Sequence, residues 1–143
     1  VFHGRHEYTI DDRGRVPIPP EFRASLGDGP IWLVDGAEEC LELYTHAEFE
    51  HFREQIDRIP ASEDGRRIRR AFYSSSHKLS LDKAGRVLIP LEVREESGLS
   101  GAVVLVGRGN VLELWSKPVW EAERKRTKEQ YASALDRALE NRQ

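Results

Sequence analysis

DDRGRVPIPPEFR, residues Asp11 to Arg23, is written a second time 71 residues later as DKAGRVLIPLEVR, Asp82 to Arg94. Eight of the thirteen positions are identical: Asp11/Asp82, Gly14/Gly85, Arg15/Arg86, Val16/Val87, Ile18/Ile89, Pro19/Pro90, Glu21/Glu92 and Arg23/Arg94. Chance does not place so many identities at one offset, and self-similarity of this kind decides the architecture before any local pattern does. The likeness spreads outward. Tyr8 and Ile10 align with Leu79 and Leu81, IWLV from Ile31 with VVLV from Val103, LELY from Leu41 with LELW from Leu112, and Phe49 with Trp120. Nearly the whole chain is one unit written twice, and two such copies are expected to pack as a pseudo-twofold pair.

A chain of 143 residues would ordinarily make one domain. Each copy alone is too small to fold comfortably, so the two are expected to share a core. The division predicted is a first half at 1–59, a linker with a basic helix at 60–75, and a second half with a long C-terminal helix at 76–143. Apolar residues make up 38% and charged residues 33%, a balance that fits a globular protein and leaves no membrane-length apolar run of ~18 residues. No basic segment followed by an apolar stretch opens the chain, so no secretory signal is expected. The single Cys40 excludes an internal disulfide and agrees with a reducing compartment.

Net charge is −3, which by itself speaks mildly against nucleic acid. The charge is unevenly placed. Asp35 to Asp64 holds ten acidic residues against Arg53 and Arg58, whereas Arg66 to Arg94 holds eight basic residues against Asp82 and Glu92. The plainer reading of that asymmetry is two solvated helices of opposite sign.

Alternation at Tyr8, Ile10, Val16 and Ile18 predicts a half-buried strand pair turning through DRGR. Gly14 and Gly85 stand where a short hairpin loop requires positive φ, and Asp11 and Asp82 where a side chain accepts the turn's N–H groups. Pro17 predicts an edge or bulged strand, and Pro19 and Pro90 its end. A short helix follows each, through Arg23 and from Leu91. Two apolar strands and a longer helix complete each unit. Thr45 with Glu48 reads as a capping box, and Phe49, Phe52, Ile56 and Ile59 as a helix's core face. Asp64 to Tyr73 reads as an extra helix with Ile68, Ala71 and Phe72 on one side and Arg66, Arg67, Arg69 and Arg70 fanned over the other. The last helix begins near Ser116. Trp120 is expected to dock like Phe49, and the charged remainder to fray or to pack on a neighbouring subunit.

Enzyme chemistry finds no support. His3, His6, His46, His51 and His77 lie at no metal-ligand spacing with one another or with Cys40. GRGNVL from Gly107 has Leu112 where a dinucleotide fingerprint needs its third glycine, and Ser75-x-x-Lys78 matches a serine-acylase tripeptide by letters only. No cofactor, metal or small-molecule substrate is expected.

Arg15 and Arg86 need a reason to be written twice. An exposed ion pair with Asp11 or Asp82 is worth only ~0–1 kcal/mol. A hairpin tip carrying arginine, with Arg13 and Lys83 beside it, can reach phosphates or a groove and bind phosphate or guanine bidentately.

At these residues the chain resembles the MraZ family, bacterial transcriptional regulators with two AbrB-like (SpoVT/AbrB) halves. The resemblance runs from FHG at Phe2 through TIDDRGR, LDKAGRVLIP, VLVG and LELWSK, with Asp11–Arg15 and Asp82–Arg86 matching the family's D-x-x-x-R motif. It implies an α+β fold of tandem pseudo-twofold swapped-hairpin β-barrel halves with flanking helices. It implies a ring-shaped homo-oligomer in the cytoplasm or nucleoid, without membrane attachment. It further implies repression through short direct repeats in double-stranded DNA upstream of the division and cell-wall gene cluster, which contains the protein's own gene. Arg15, Arg86, Arg13 and Lys83 then become the DNA-binding set, Asp11, Gly14, Asp82 and Gly85 the turn that carries it, and Arg66, Arg67, Arg69 and Arg70 a second-ranked basic surface. Pro17, opposite Leu88 in the repeat, departs from the pattern and predicts a less regular outgoing strand. In a ring the acidic span either faces away from DNA or meets Arg66 to Arg70 of the next copy, and weak sites add through effective concentration. A different class also fits the sequence: an assembly module that binds a protein partner instead of DNA.

Overall fold

The computed structural model describes residues 1–27 and 29–141. Each copy of the repeat folds in the same order. The first gives β1 (Arg5–Ile10), β2 (Arg15–Pro17), α1 (Pro20–Ala24), β3 (Ile31–Asp35), β4 (Leu41–Thr45) and α2 (His46–Asp57). After the joining helix α3 (Glu63–Ser75), the second gives β5 (His77–Leu79), β6 (Arg86–Leu88), α4 (Leu91–Ser97), β7 (Gly101–Arg108), β8 (Val111–Ser116) and α5 (Lys117–Glu140). Local chemistry sets the boundaries. Pro19 and Pro90 are the N-cap residues of α1 and α4, with nearly identical extended dihedrals. Thr45 Oγ1 accepts the Glu48 N–H at 3.2 Å to open α2, and Ser62 Oγ accepts the Gly65 N–H at 2.9 Å to open α3.

The fold is α+β, with a six-stranded antiparallel sheet in the order β1-β7-β8-β4-β3-β5 and a separate two-stranded ribbon, β2-β6. The order is a palindrome under exchange of the two copies. β1 pairs with β7 of the second copy, and β5, its counterpart, pairs with β3 of the first. The central seam joins β4 to β8. The expected β1–β2 hairpin therefore turns at Gly14 but does not form a paired ladder. Its two arms diverge, and β2 makes its ladder with β6. Val16 and Val87 are 0% and 1% exposed, and burying them draws β2 and β6 into the core shared by the copies. Pro17 does not shorten its strand relative to β6. It closes a free-edged ribbon, where a missing N–H interrupts no further ladder.

One core cluster mixes both copies, with Ile10, Phe22, Leu33 and Leu43 packed among Ile89, Val103, Leu105 and Leu114. Halves interleaved in this way cannot keep their cores when separated. A second cluster seats α2 and α3 on the sheet. Phe49 stacks on Trp32 with ring centroids 4.1 Å apart, and Phe72 meets Phe49 at 5.4 Å.

Two sequence expectations for the helices change. In α3 only Phe72 of the supposed inner face is buried, while Ile68 and Ala71 are exposed. Arg69 does not fan outward with its neighbours. Its Nη1 donates to Ile56 O at 3.2 Å, which also accepts Ile59 N at 3.2 Å, and to Ile59 O at 2.7 Å just past the C-terminal end of α2. In α5, Trp120 meets Trp115 at 5.6 Å but stays half-buried, unlike Phe49. The helix then continues to Glu140 and buries none of its residues.

Candidate nucleic-acid interface

Each turn is built around its aspartate. Asp11 N donates to Arg15 O at 3.1 Å, and Gly14 N to Asp11 O at 3.0 Å. The copy repeats this, with Asp82 N to Arg86 O at 2.8 Å and Gly85 N to Asp82 O at 3.0 Å. Gly14 and Gly85 take φ of +93° and +77°, which residues with a Cβ avoid.

The carboxylates do more than close the turn. Asp11 Oδ1 accepts the backbone N–H groups of Arg13 (3.0 Å) and Arg15 (2.9 Å), and Oδ2 accepts Arg15 Nε at 2.6 Å. Asp82 Oδ1 accepts Ala84 N and Arg86 N, both at 2.9 Å, and Oδ2 accepts Arg86 Nε at 3.0 Å. Both carboxyls are held below the ordinary aspartate value, first by the backbone N–H of the arginine four residues on. Since Nε is taken by aspartate, each guanidinium is oriented, while Nη1 and Nη2 make no hydrogen bond to that carboxylate. The carboxylate thus serves as turn acceptor and as arginine orienter at once.

The ribbon sets the two arginines on one face. Its register is Arg15↔Leu88, Val16↔Val87 and Pro17↔Arg86. Side chains alternate across a strand, so the buried valines face inward while Arg15, Pro17, Arg86 and Leu88 share the outer face. The arginine side chains keep about a third of their surface exposed, at 33% and 32%. Arg86 Nη1 lies 3.9 Å from Asp11 Oδ2, bringing the two motifs within ionic reach. Arg13 and Lys83 are exposed at the two tips.

Each tip is braced by the other copy. Ile89 N donates to Gly14 O at 2.8 Å, and Ile18 N to Gly85 O at 3.0 Å. Arg94 lies against Gly14 and donates Nε to Ile89 O at 3.0 Å, while the Arg23 guanidinium lies against Gly85. The sequence alone assigns no role to Arg23 and Arg94, although both are among the identical positions. That identity was the available signal.

The second-ranked basic residues divide. Arg69 is engaged by α2, and Arg67 pairs at 2.6 Å with Glu63 of its own helix. Arg66 and Arg70 are exposed on α3, which packs on α2 and β3 and is not part of the ribbon.

Elsewhere, a cleft of about 550 Å³ is lined by acidic residues including Asp35, Glu38, Glu39, Glu92 and Glu96, with Cys40 at its wall. Burial pushes the Cys40 thiol far up, so it remains a protonated thiol. Among the described residues, no helix is long and apolar enough to cross a membrane.

A family model described as "MraZ protein, putative antitoxin-like" matches the chain twice, over residues 1–70 and 72–142. Its two segments follow the two copies of the repeat. Relatives named transcriptional regulator MraZ are similar over most of their length. The protein of Lachnoclostridium phytofermentans is 37% identical over 122 residues, covering 85% of this chain and 86% of its own. The protein of Marinomonas sp. is 34% identical over 129 residues, covering 87% and 85%. That of Caldanaerobacter subterraneus subsp. tengcongensis is 36% identical over 137 residues, covering 93% and 95%.

Proposed function

The chain belongs to the MraZ family, and we propose that it is a sequence-specific DNA-binding transcriptional regulator. In this reading it represses the division and cell-wall gene cluster by binding short direct repeats in the double-stranded DNA upstream of its own gene. It acts as a ring-like homo-oligomer in the cytoplasm, at the nucleoid. The two halves, 1–59 and 76–143, are AbrB-like swapped-hairpin barrels joined by the basic helical linker 60–75.

One observation carries the reading. Two guanidinium groups, each oriented through Nε by its own aspartate, stand on one face of a single two-stranded ribbon. A two-stranded ribbon is among the few elements the major groove admits, and an oriented Nη pair suits phosphate or the O6/N7 edge of guanine. Arg13 and Lys83 at the tips add backbone contacts that position the ribbon without reading sequence. No catalysis is needed for this role. Self-association draws support from the exposed apolar residues of α5, Tyr131, Leu135 and Leu139, which no element among the described residues covers.

A mobility shift tests it, using duplexes that tile the DNA upstream of the protein's own gene. Arg15→Ala with Arg86→Ala should weaken binding and leave thermal stability and oligomer mass unchanged. Each lost phosphate contact should flatten the slope of log affinity against log salt by roughly one unit per subunit engaged. A lost base contact should cost ~1–3 kcal/mol and relax specificity. A variant neutralised at Arg66, Arg67 and Arg70 is the control. Full affinity and an unchanged salt slope in the double hairpin variant would overturn the assignment, and selective loss in the α3 variant would move the DNA surface there. Salt-insensitive capture of a protein partner, with no duplex bound, would favour an assembly module.

A further inference from the structure

The outer face of the ribbon has four residues, of which Arg15 and Arg86 are two. Pro17 and Leu88 remain. Leu88 is 55% exposed, an apolar side chain on the face that carries both arginines. A single exposed leucine ordinarily needs no explanation. This one is singled out by its place. It sits directly opposite Arg15 in the ladder, with its strand neighbour Val87 buried and Arg86 next on the same face. The first copy has Pro17 in the corresponding place, opposite Arg86 and only half-exposed. Register and repeat are thus symmetric, while the side chains beside the two arginines are not.

We propose that Leu88 is a specificity-determining residue that contacts the C5-methyl group of a thymine beside the site engaged by Arg15. The proposal rests on the ribbon being the DNA-reading element. In the major groove the thymine methyl is the apolar feature among hydrogen-bonding edges, and apolar side chains recognise it. Directly opposed residues in an antiparallel pair have Cβ atoms ~4.5–5.5 Å apart. Base pairs along a strand are ~3.4 Å apart. The thymine read by Leu88 therefore lies about one to two base pairs from the Arg15 contact. Pro17 is shorter and its ring is fixed, so it does not reach as far on the Arg86 side. Each subunit consequently reads its site with two unequal ends, which gives a polarity suited to direct repeats.

The experiment replaces each thymine of the bound duplex singly by deoxyuridine, which removes the methyl and nothing else. Affinity is read by fluorescence anisotropy for the wild type, Leu88→Ala and Leu88→Met. In the wild type, one substitution per bound site should weaken binding about fourfold, the worth of one buried methyl. In Leu88→Ala the thymine duplex should bind weaker by a similar factor and the same deoxyuridine should have no further effect. Leu88→Met should restore the sensitivity. Two results would overturn the proposal: undiminished sensitivity to every deoxyuridine in Leu88→Ala, or no sensitive position in the wild type. If light scattering shows that Leu88→Ala changes oligomer mass while methyl sensitivity persists, Leu88 is covered by another copy and the proposal fails. Arg15→Ala/Arg86→Ala on the same duplexes separates the two levels. If that variant binds at full strength, the ribbon reading itself is wrong. If it loses affinity while Leu88→Ala behaves as wild type, only the role of Leu88 falls.

Discussion

Arg108→Ala should destabilise the protein through the seam where the two copies meet. Glu42 and Glu113 are register partners in the β4–β8 ladder, so their Cβ atoms are ~4.5–5.5 Å apart. They are equivalent positions of the repeat, 71 residues apart, and so lie on the pseudo-twofold axis. Their side chains are only 13% and 9% exposed. Like charges opposed in a ladder repel, and here one cation serves both. Arg108 Nη2 lies 2.5 Å from Glu42 Oε2, and its Nε 2.7 Å from Glu113 Oε2. The remaining oxygens accept Tyr44 OH at 2.9 Å and Trp115 Nε1 at 3.0 Å. The first copy has Gly36 where the second has Arg108, so no second cation stands in. Removing one partner of a buried pair costs ~3–5 kcal/mol. Arg108 is 53% exposed, so water already screens part of its effect, and ~2–3 kcal/mol is the reasonable expectation. For a chain near this size that lowers the melting temperature by roughly 5–10 °C. Urea unfolding of the wild type, Arg108→Ala, Glu113→Gln and the double variant gives the coupling directly. The double variant should regain part of the loss, because the amide removes one of the two charges and can donate to Glu42. An Arg108→Ala variant within ~0.5 kcal/mol of wild type, the range of an ordinary surface substitution, would refute the reasoning. So would a double variant less stable than Arg108→Ala.

Gly14→Ala should cost ~1–3 kcal/mol in a thermal melt, since φ is +93° and the new Cβ would lie 2.8 Å from Ile89 O; an unchanged melt would contradict the brace between copies. Arg69→Ala should cost ~1–2 kcal/mol by removing the donor to Ile59 O and the second donor to Ile56 O, with DNA affinity unchanged at temperatures where the variant is folded. Loss of affinity without loss of stability would instead return Arg69 to the DNA surface. Asp11 and Asp82 have folded values depressed below the ordinary one. Their contribution is therefore complete above the unfolded aspartate value of about 4 and is lost as pH falls through the folded values. Melts taken downward from pH 7 should show a shallower acid loss in Asp11→Asn/Asp82→Asn than in wild type, and equal slopes would argue against it.

The repeat made much of this structure legible before any coordinates. Glycine and aspartate at a fixed spacing announce a turn with positive φ, and proline followed by a helix-forming segment announces a strand's end. Those are local constraints, decided within four or five residues. Strand partnership is not local. Alternation tells which side chains share a face and says nothing of which strand lies alongside. Two copies paired each within itself and two copies exchanging strands have the same pattern, so the β1–β7 and β5–β3 pairings had to come from the structure. Arg69 was misplaced for a similar reason. On its own helix it neighbours other arginines, and only the approach of the α2 C-terminus brings the Ile56 and Ile59 carbonyls within its reach. Arg23 and Arg94 were visible as identities, yet their partner glycines lie in the opposite copy.

That exchange bears on why two D-x-x-x-R motifs occur in one chain. A tip is closed by its own aspartate but supported by the other copy's backbone and arginine. One copy could form the turn and could not hold it in place. The ribbon needs both β2 and β6, so both arginines are set by a single ladder and their separation is fixed by register. Two identical chains could satisfy the same contacts, but they would be bound to equal residues at equivalent places. Joining the copies covalently removes that requirement. Leu88 can take the place that Pro17 has in the first copy, and Arg108 that of Gly36, without disturbing the shared frame. The symmetric positions, Val16/Val87 and Glu42/Glu113, lie at the ribbon and at the seam, where the copies touch themselves across the axis. Unequal residues lie in the core, as at Phe22/Val93 and Phe49/Trp120, and also beside the arginines and at the rim. Symmetry is kept where the copies meet themselves across the axis, and the freedom to differ elsewhere gives a fused pair two unequal ends, as a target with a direction requires.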